Sequence, residues 1–298
     1  MQQRLPVTFV ADLVCPWCRI AFHTLLPLTE RLGCELHWHP FLLNPGLPPQ
    51  GVPRRLYLER KFGSVDAAAA ALRRVVRRGA AEGLRFAFER ILRQPDTVPA
   101  QALLLEAQAA GRLVPLATAL FTAFFEEGGD LGDPALLAAL AERAGLDPEA
   151  RAAAATADRR AQVRAAHRRA VGRDIDGVPA LLVPGVGVLA GAQPAEVFEG
   201  FLELGLLAAA SADRGPAPGS AQGRQGSESP VAGARLPPRA SWPGGSSASG
   251  VPVGLGRCGR SQRLAGKGLR LGGSSRLWCS QAFQPGGTID GSISPRSA

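Results

Sequence analysis

Apolar and polar positions along the first 210 residues change period repeatedly, and each change marks an element. PVTFVADLV is nearly continuous in apolar, β-branched and aromatic residues, the composition of a buried strand. RIAFHTLLPLTERLG then spaces its apolar residues at helical intervals and stops at Gly33. CELHWHPFLL returns to strand chemistry and ends in the turn-rich NPGLPPQGVP. From about Pro53 to Arg173 nothing reads as a strand; the region is rich in Ala, Leu and Arg and predicts several helices of ordinary length. Asp96 and Thr97 are cap candidates for one, Asp133 with Pro134 and Gly145 bracket another, and Asp147-Pro148 opens a third. IDGVPALLV, the turn PGVG and VLAG predict two short strands, and AQPAEVFEGFLELGLLAAA a closing amphipathic helix. The order β-α-β, helical block, β-β-α predicts an α/β sheet with a helical insertion over about 53–173, and no internal repeat is visible.

From Ser211 the periodicity stops. The last 88 residues hold 18 of the chain's 36 glycines and 15 serines, with 11 Lys/Arg against 3 Asp/Glu. Residues 1–210 carry 23 basic and 22 acidic side chains, so the chain's net charge of +9 belongs almost wholly to its end. The expected organisation is a folded domain over 1–210 and a low-complexity, disordered basic tail over 211–298. A folded basic face would point to nucleic acid. A Gly/Ser/Arg-rich tail with hardly any aromatic residue for base stacking does not, so no specific nucleic-acid partner is expected.

No run approaches the ~20 apolar residues of a membrane span. The N-terminal MQQRLPVTFVADLVC has one Arg, an apolar run broken by Asp12, and no small-residue cleavage site. Five cysteines is an odd number without framework spacing. These features predict a cytoplasmic location, where a close cysteine pair is catalytic or metal-binding.

That pair is Cys15-Pro16-Trp17-Cys18, set where the first strand turns into its helix. Unpaired N–H groups and the helix dipole favour negative charge there, and a thiolate is stabilised over a thiol. Two intervening residues put the second sulfur one turn on, within disulfide reach, and Pro16 suits the first turn because its missing N–H costs nothing. Cys15 is expected to face solvent as the attacking nucleophile, with Cys18 deeper as the resolving thiol. A second reading joins Cys15 and Cys18 to Cys34 and His37 as zinc ligands. Against it, Cys34 and His37 lie three apart on a strand and point to opposite faces. A third reading makes the cysteines buried and inert. His37 and His39 share a strand face without a third ligand, and His23 and His167 are isolated. Cys34 reads as a buried strand residue, and Cys258 and Cys279 as tail thiols.

The stretches DLVCPWC, LFTAFFEEGGDLGDPALLAALAERAGLD, DGVPALLV and GAQPAEVF together resemble the DsbA-like thioredoxin-fold oxidoreductases, in particular the FrnE-like cytoplasmic group. The resemblance covers residues 1–210. It implies a thioredoxin fold carrying a helical insertion, and thiol–disulfide exchange with a thiol or disulfide substrate, protein or small molecule. No bound cofactor is implied beyond the redox-active disulfide, with glutathione as a co-substrate. The resemblance makes Val178-Pro179 a cis peptide facing the cysteines, with the Val178 backbone pairing to substrate. Pro16, Trp17 and Gln193 become substrate-contact candidates, and Asp12 matches an acidic position able to tune the thiol or relay a proton. One departure is TVPAQALLL, with Gln101 where the family commonly has histidine, which puts recognition through that polar group in question. A related alternative is a glutathione-dependent isomerase of the 2-hydroxychromene-2-carboxylate isomerase type, in which a serine usually replaces the first cysteine. The non-enzymatic alternative is a zinc-binding or redox-inert module. No feature of the pattern predicts an oligomeric state.

Overall fold

The computed structural model describes residues 4–212. The tail reading, with Cys258 and Cys279, lies outside the described residues apart from the first two positions, which the last helix absorbs. Strand β1 (Leu5–Ala11) leads into helix α1 (Pro16–Arg31) and strand β2 (Cys34–Pro40). At the far end strands β5 (Ala180–Val183) and β6 (Gly187–Ala190) lead into helix α9 (Ala195–Ala212). These strands form one sheet in the order β2-β1-β5-β6. β1 runs parallel to β2, with Phe9 opposite Trp38, and antiparallel to β5, with Phe9 opposite Leu181. A βαβ half and a ββα half thus meet along β1, which is the thioredoxin arrangement.

Between the halves come β3 (Val52–Pro53), α2 (Arg54–Phe62), α3 (Val65–Ala81), β4 (Arg93–Gln94) and α4 (Val98–Ala109). They are followed by α5 (Leu113–Thr122), α6 (Pro134–Arg143), α7 (Pro148–Ala154) and α8 (Ala157–Val171). The insertion is helical as expected, with one correction: β3 and β4 pair antiparallel, Val52 with Gln94 and Pro53 with Arg93. Strands of two residues joined across some forty carry no period of their own.

The expected caps form where local chemistry supplies them. The Asp133 carboxylate accepts the Ala135 N–H at 2.9 Å, and that of Asp147 accepts the Ala150 N–H at 2.7 Å. At α4 the acceptor is Asp96, which takes the Val98 N–H at 3.1 Å, while Thr97 holds the cap position without using its hydroxyl as a cap. Gly33 ends α1 with φ +68°, a conformation that favours glycine.

The core is continuous from sheet to insertion. Phe9, Phe22, Trp38 and Phe121 pack with ring centroids 5.7–6.1 Å apart, joining β1, α1, β2 and α5. Phe125 extends the cluster to Phe86 and Phe88. The insertion is therefore packed against the helix that begins with the two cysteines. Among the described residues no helix is long and apolar enough to cross a membrane.

Candidate active site

Cys15 is the N-cap of α1, with extended backbone (φ −90°, ψ 112°). Its N–H donates to the Asp12 carbonyl at 3.1 Å, which ends the strand, and its own carbonyl accepts the Cys18 and Arg19 N–H groups at 3.0 and 3.2 Å. Pro16 occupies the first turn, and Cys18 follows one turn below Cys15, close enough for their thiols to hydrogen-bond. Cys15, Cys18 and Cys34 are free thiols.

The expectation of a solvent-facing Cys15 is corrected. Only 1% of its surface is exposed, against 0% for Cys18. The reason is the segment before β5: the Val178-Pro179 peptide is cis, and the Val178 carbonyl accepts the Cys15 Sγ–H at 3.7 Å. Val178 therefore lies over Cys15, although the two are 163 positions apart in the chain.

Trp17 is half-buried. It packs against the cluster of Ile20 of α1 with Ala71 and Val75 of α3, which Phe86, Phe88 and Ala192 also flank. Its indole Nε1 is buried and has no hydrogen-bond partner among the described residues. Beside Ala192, the Gln193 carbonyl accepts from Arg78 of α3 at 3.4 Å, while the Gln193 side chain donates to the Ala190 carbonyl at 2.7 Å. The loop before α9 and helix α3 thus share one wall with Trp17.

Beneath the cysteines lies a buried acid. Asp12 is 1% exposed. Its Oδ2 accepts the Leu43 N–H at 2.8 Å, and Gln101 Nε2 donates to Oδ1 at 3.4 Å. The Thr97 side chain and the Val14 N–H add hydrogen bonds. Burial outweighs these donors and pushes the carboxyl up from 3.8 to about 6. Cys18 is pushed well above the ordinary thiol value by burial first, then by its hydrogen bond to Cys15 and by the charges of Cys15 and Asp12. A carboxylate that titrates near neutrality beside a thiol reluctant to ionise is an arrangement that can accept that thiol's proton.

Gln101, which stands where the resemblance implies a histidine and put recognition through that position in question, is 0% exposed and hydrogen-bonded inside the protein. A second polar feature lay outside sequence reasoning. Arg19, directly after Cys18, is paired with Glu126 and donates to the Arg85 carbonyl at 2.9 Å. Its guanidinium lies 5.0 Å from the Phe86 ring and 5.8 Å from the Phe125 ring. Nothing in the local pattern signals a partner 107 positions away. A cleft of about 380 Å³ opens beside this pair, and no cysteine lines it.

The zinc constellation does not assemble. Cys34 is buried on β2, whereas His37 is half-exposed on the other face of the strand, 3.5 Å from Glu35. His39 contacts the Ala166 carbonyl at 3.0 Å, and His167 accepts the Leu42 N–H at 3.3 Å, both in packing roles. His23 is exposed on α1. Among the described residues no three His, Cys, Asp or Glu side chains gather to hold a metal ion.

A family model described as DSBA-like thioredoxin domain matches residues 6–203. A search of curated protein sequences returns no significant match. Among solved structures the chain is similar to a probable DsbA oxidoreductase from Streptomyces coelicolor. The two are 31% identical, over 68% of this chain and 90% of that one, with a TM-score of 0.61. The cytosolic disulfide reductase DsbM from Pseudomonas aeruginosa is 23% identical, over 68% of this chain and 99% of that one, with a TM-score of 0.52. That reductase has also been solved with glutathione. A 2-hydroxychromene-2-carboxylate isomerase is 18% identical, over 71% of this chain and 100% of that one, with a TM-score of 0.50. The last two likenesses are of fold alone.

Proposed function

The chain belongs to the DsbA-like thioredoxin family, and on that premise we propose that it is a thiol–disulfide oxidoreductase working through Cys15 and Cys18. The observation that carries this reading is the dithiol itself: two free cysteines one turn apart at a helix N-terminus, covered by the Val178 carbonyl and underlain by Asp12. The Streptomyces relative, described as an oxidoreductase, supports the same class.

In the reducing direction, deprotonated Cys15 attacks one sulfur of a substrate RS–SR′. The Cys15–SR mixed disulfide forms, and R′S⁻ leaves and takes a proton from solvent. Cys18 then gives its proton to the Asp12 carboxylate, and its sulfur attacks Cys15 Sγ. The Cys15–Cys18 disulfide closes, RS⁻ departs, and two electrons have passed from enzyme to substrate. Two thiols of an external donor, glutathione in this proposal, reverse the sequence and become a disulfide; run backwards, the same steps oxidise a dithiol. Substrate approach requires the Val178 segment to release Cys15, and Pro16, Trp17, Val178, Pro179 and Gln193 are assigned to the surface that receives it. The proposal includes a cytoplasmic setting, supported by five cysteines without framework spacing.

Insulin-disulfide reduction tests the assignment. Cys15→Ser should abolish turnover, and Cys18→Ala should accumulate the mixed disulfide on Cys15, read by mass spectrometry. Full activity in Cys15→Ser would overturn the nucleophile. The glutathione-dependent isomerase alternative is disfavoured by a thiol at Cys15, and chromene turnover by a Cys15→Ser/Cys18→Ser double variant would restore it.

A further inference from the structure

Gln101 of α4 joins three elements from a fully buried position. Its Oε1 accepts from Trp38 Nε1 of β2 at 2.7 Å. An indole N–H can only donate, so it fixes which end of the amide faces β2. The Nε2 end then meets three acceptors: the Ala11 carbonyl at 3.1 Å, the Phe41 carbonyl at 3.1 Å and Asp12 Oδ1 at 3.4 Å. An amide nitrogen carries only two hydrogens. Whether one of them serves the carboxylate or both serve the carbonyls depends on whether Asp12 is charged, because a charged acceptor forms the stronger bond.

We propose that Gln101, held in one orientation by Trp38, is a positioning residue that adjusts how readily Asp12 takes the Cys18 proton. The inference rests on the oxidoreductase reading above and adds a control on its resolving step. The Leu43 N–H, the Thr97 side chain and the Val14 N–H each lower the Asp12 carboxyl more than Gln101 does, so Gln101 adjusts a balance these donors largely set. From α1 the titratable neighbours are Cys18 and, through it, Cys15. The segments after β1, after β2 and before α4 supply the Val14 and Leu43 amides and the Thr97 hydroxyl. Asp96, beside Thr97, faces Arg164 at 3.5 Å, and His167 of α8 takes the neighbouring Leu42 N–H. Of the groups that meet Asp12, Gln101 alone is also tied to a donor-only partner that dictates its orientation.

The sign of the effect follows. Removing an N–H donor destabilises the carboxylate, so Asp12 titrates higher and fewer carboxylates are available below that point. In single-turnover measurements the resolving step of the wild type should inflect near pH 6. In Gln101→Met the inflection should rise by about half a unit, so that resolution is about twofold slower at pH 6 and nearly normal at pH 8. Gln101→His should restore the wild-type profile, since one imidazole nitrogen can accept from Trp38 while the other donates. A fault of folding alone would slow both pH values equally. An unmoved inflection in Gln101→Met overturns the proposal.

A second measurement holds even where Gln101→Met fails to fold. The indole N–H resonance of Trp38, assigned by Trp38→Phe, should titrate near pH 6 in the wild-type chain and lose that transition in Asp12→Asn. A Trp38 resonance flat from pH 4 to 8 in the wild type also overturns the coupling. Redox titration of the wild type keeps the two readings separate. Absence of a reversible Cys15–Cys18 disulfide sinks the oxidoreductase reading, while the Trp38 titration still decides the link between Gln101 and Asp12.

Discussion

Asp12 contributes twice at the same spot. Its carbonyl takes the Cys15 N–H and ends β1, and its carboxyl is buried below the cysteines. With the native carboxyl held up at about 6 against 3.8, the folded protein binds one more proton than the unfolded chain between those values. Stability contributed by this group is therefore full below about pH 4 and falls as pH rises, by about 3 kcal/mol once pH exceeds about 6. Asp12→Asn should flatten that part of the curve, so that urea unfolding at pH 4 and pH 7 differs less than in the wild type. The same variant should slow resolution of the mixed disulfide, because the proton acceptor is gone. An unchanged pH dependence of stability would show that the buried carboxyl is already compensated.

At the scale of elements, two contacts hold the site's helices in place. Arg19 of α1 joins the π-helical turn Ala123–Glu127 that continues α5. Removing one member of a buried pair leaves a charge without compensation, which costs about 3–5 kcal/mol where both are buried. The Glu126 side chain is 33% exposed, so Glu126→Gln should cost less, about 1–3 kcal/mol, read as a lowered denaturation midpoint. On α9 the contact is steric. A Cβ at Gly205 would lie 2.3 Å from Val183 Cγ1 and 2.9 Å from Leu5 Cδ2. Gly205→Ala gains up to about 1 kcal/mol of helix propensity. It must also displace two core side chains, and overpacking of about 1–3 kcal/mol outweighs the gain. The expected outcome is a net loss of thermal stability; a stabilised variant would show that α9 can shift away from the sheet.

At the scale of the molecule, every group in the proposed chemistry falls within residues 12–193, and the family match ends at residue 203. We therefore propose the first 210 residues as the redox domain and expect a chain ending at Ala212 to keep the Cys15–Cys18 potential of the full chain. A changed potential on truncation would bring the basic C-terminal segment into the mechanism. Much of this organisation was legible in the residues. DLVCPWC at a strand–helix junction, Gly33 as a stop, Asp133-Pro134 and Asp147-Pro148 as helix starts, and the β-α-β and β-β-α halves all depend on backbone chemistry within a few positions. The Val52–Gln94 and Pro53–Arg93 pairing, the burial of Cys15, and the commitments of Arg19 and Gln101 did not announce themselves. The sequence by itself determined the elements and the identity of the two sulfurs, because periodicity, caps and a helix N-terminus are local properties. Only the tertiary structure decided how deeply those sulfurs lie and which amide faces the acid beside them. Burial and hydrogen-bond partnership are made by residues far apart in the chain, and no local pattern carries them.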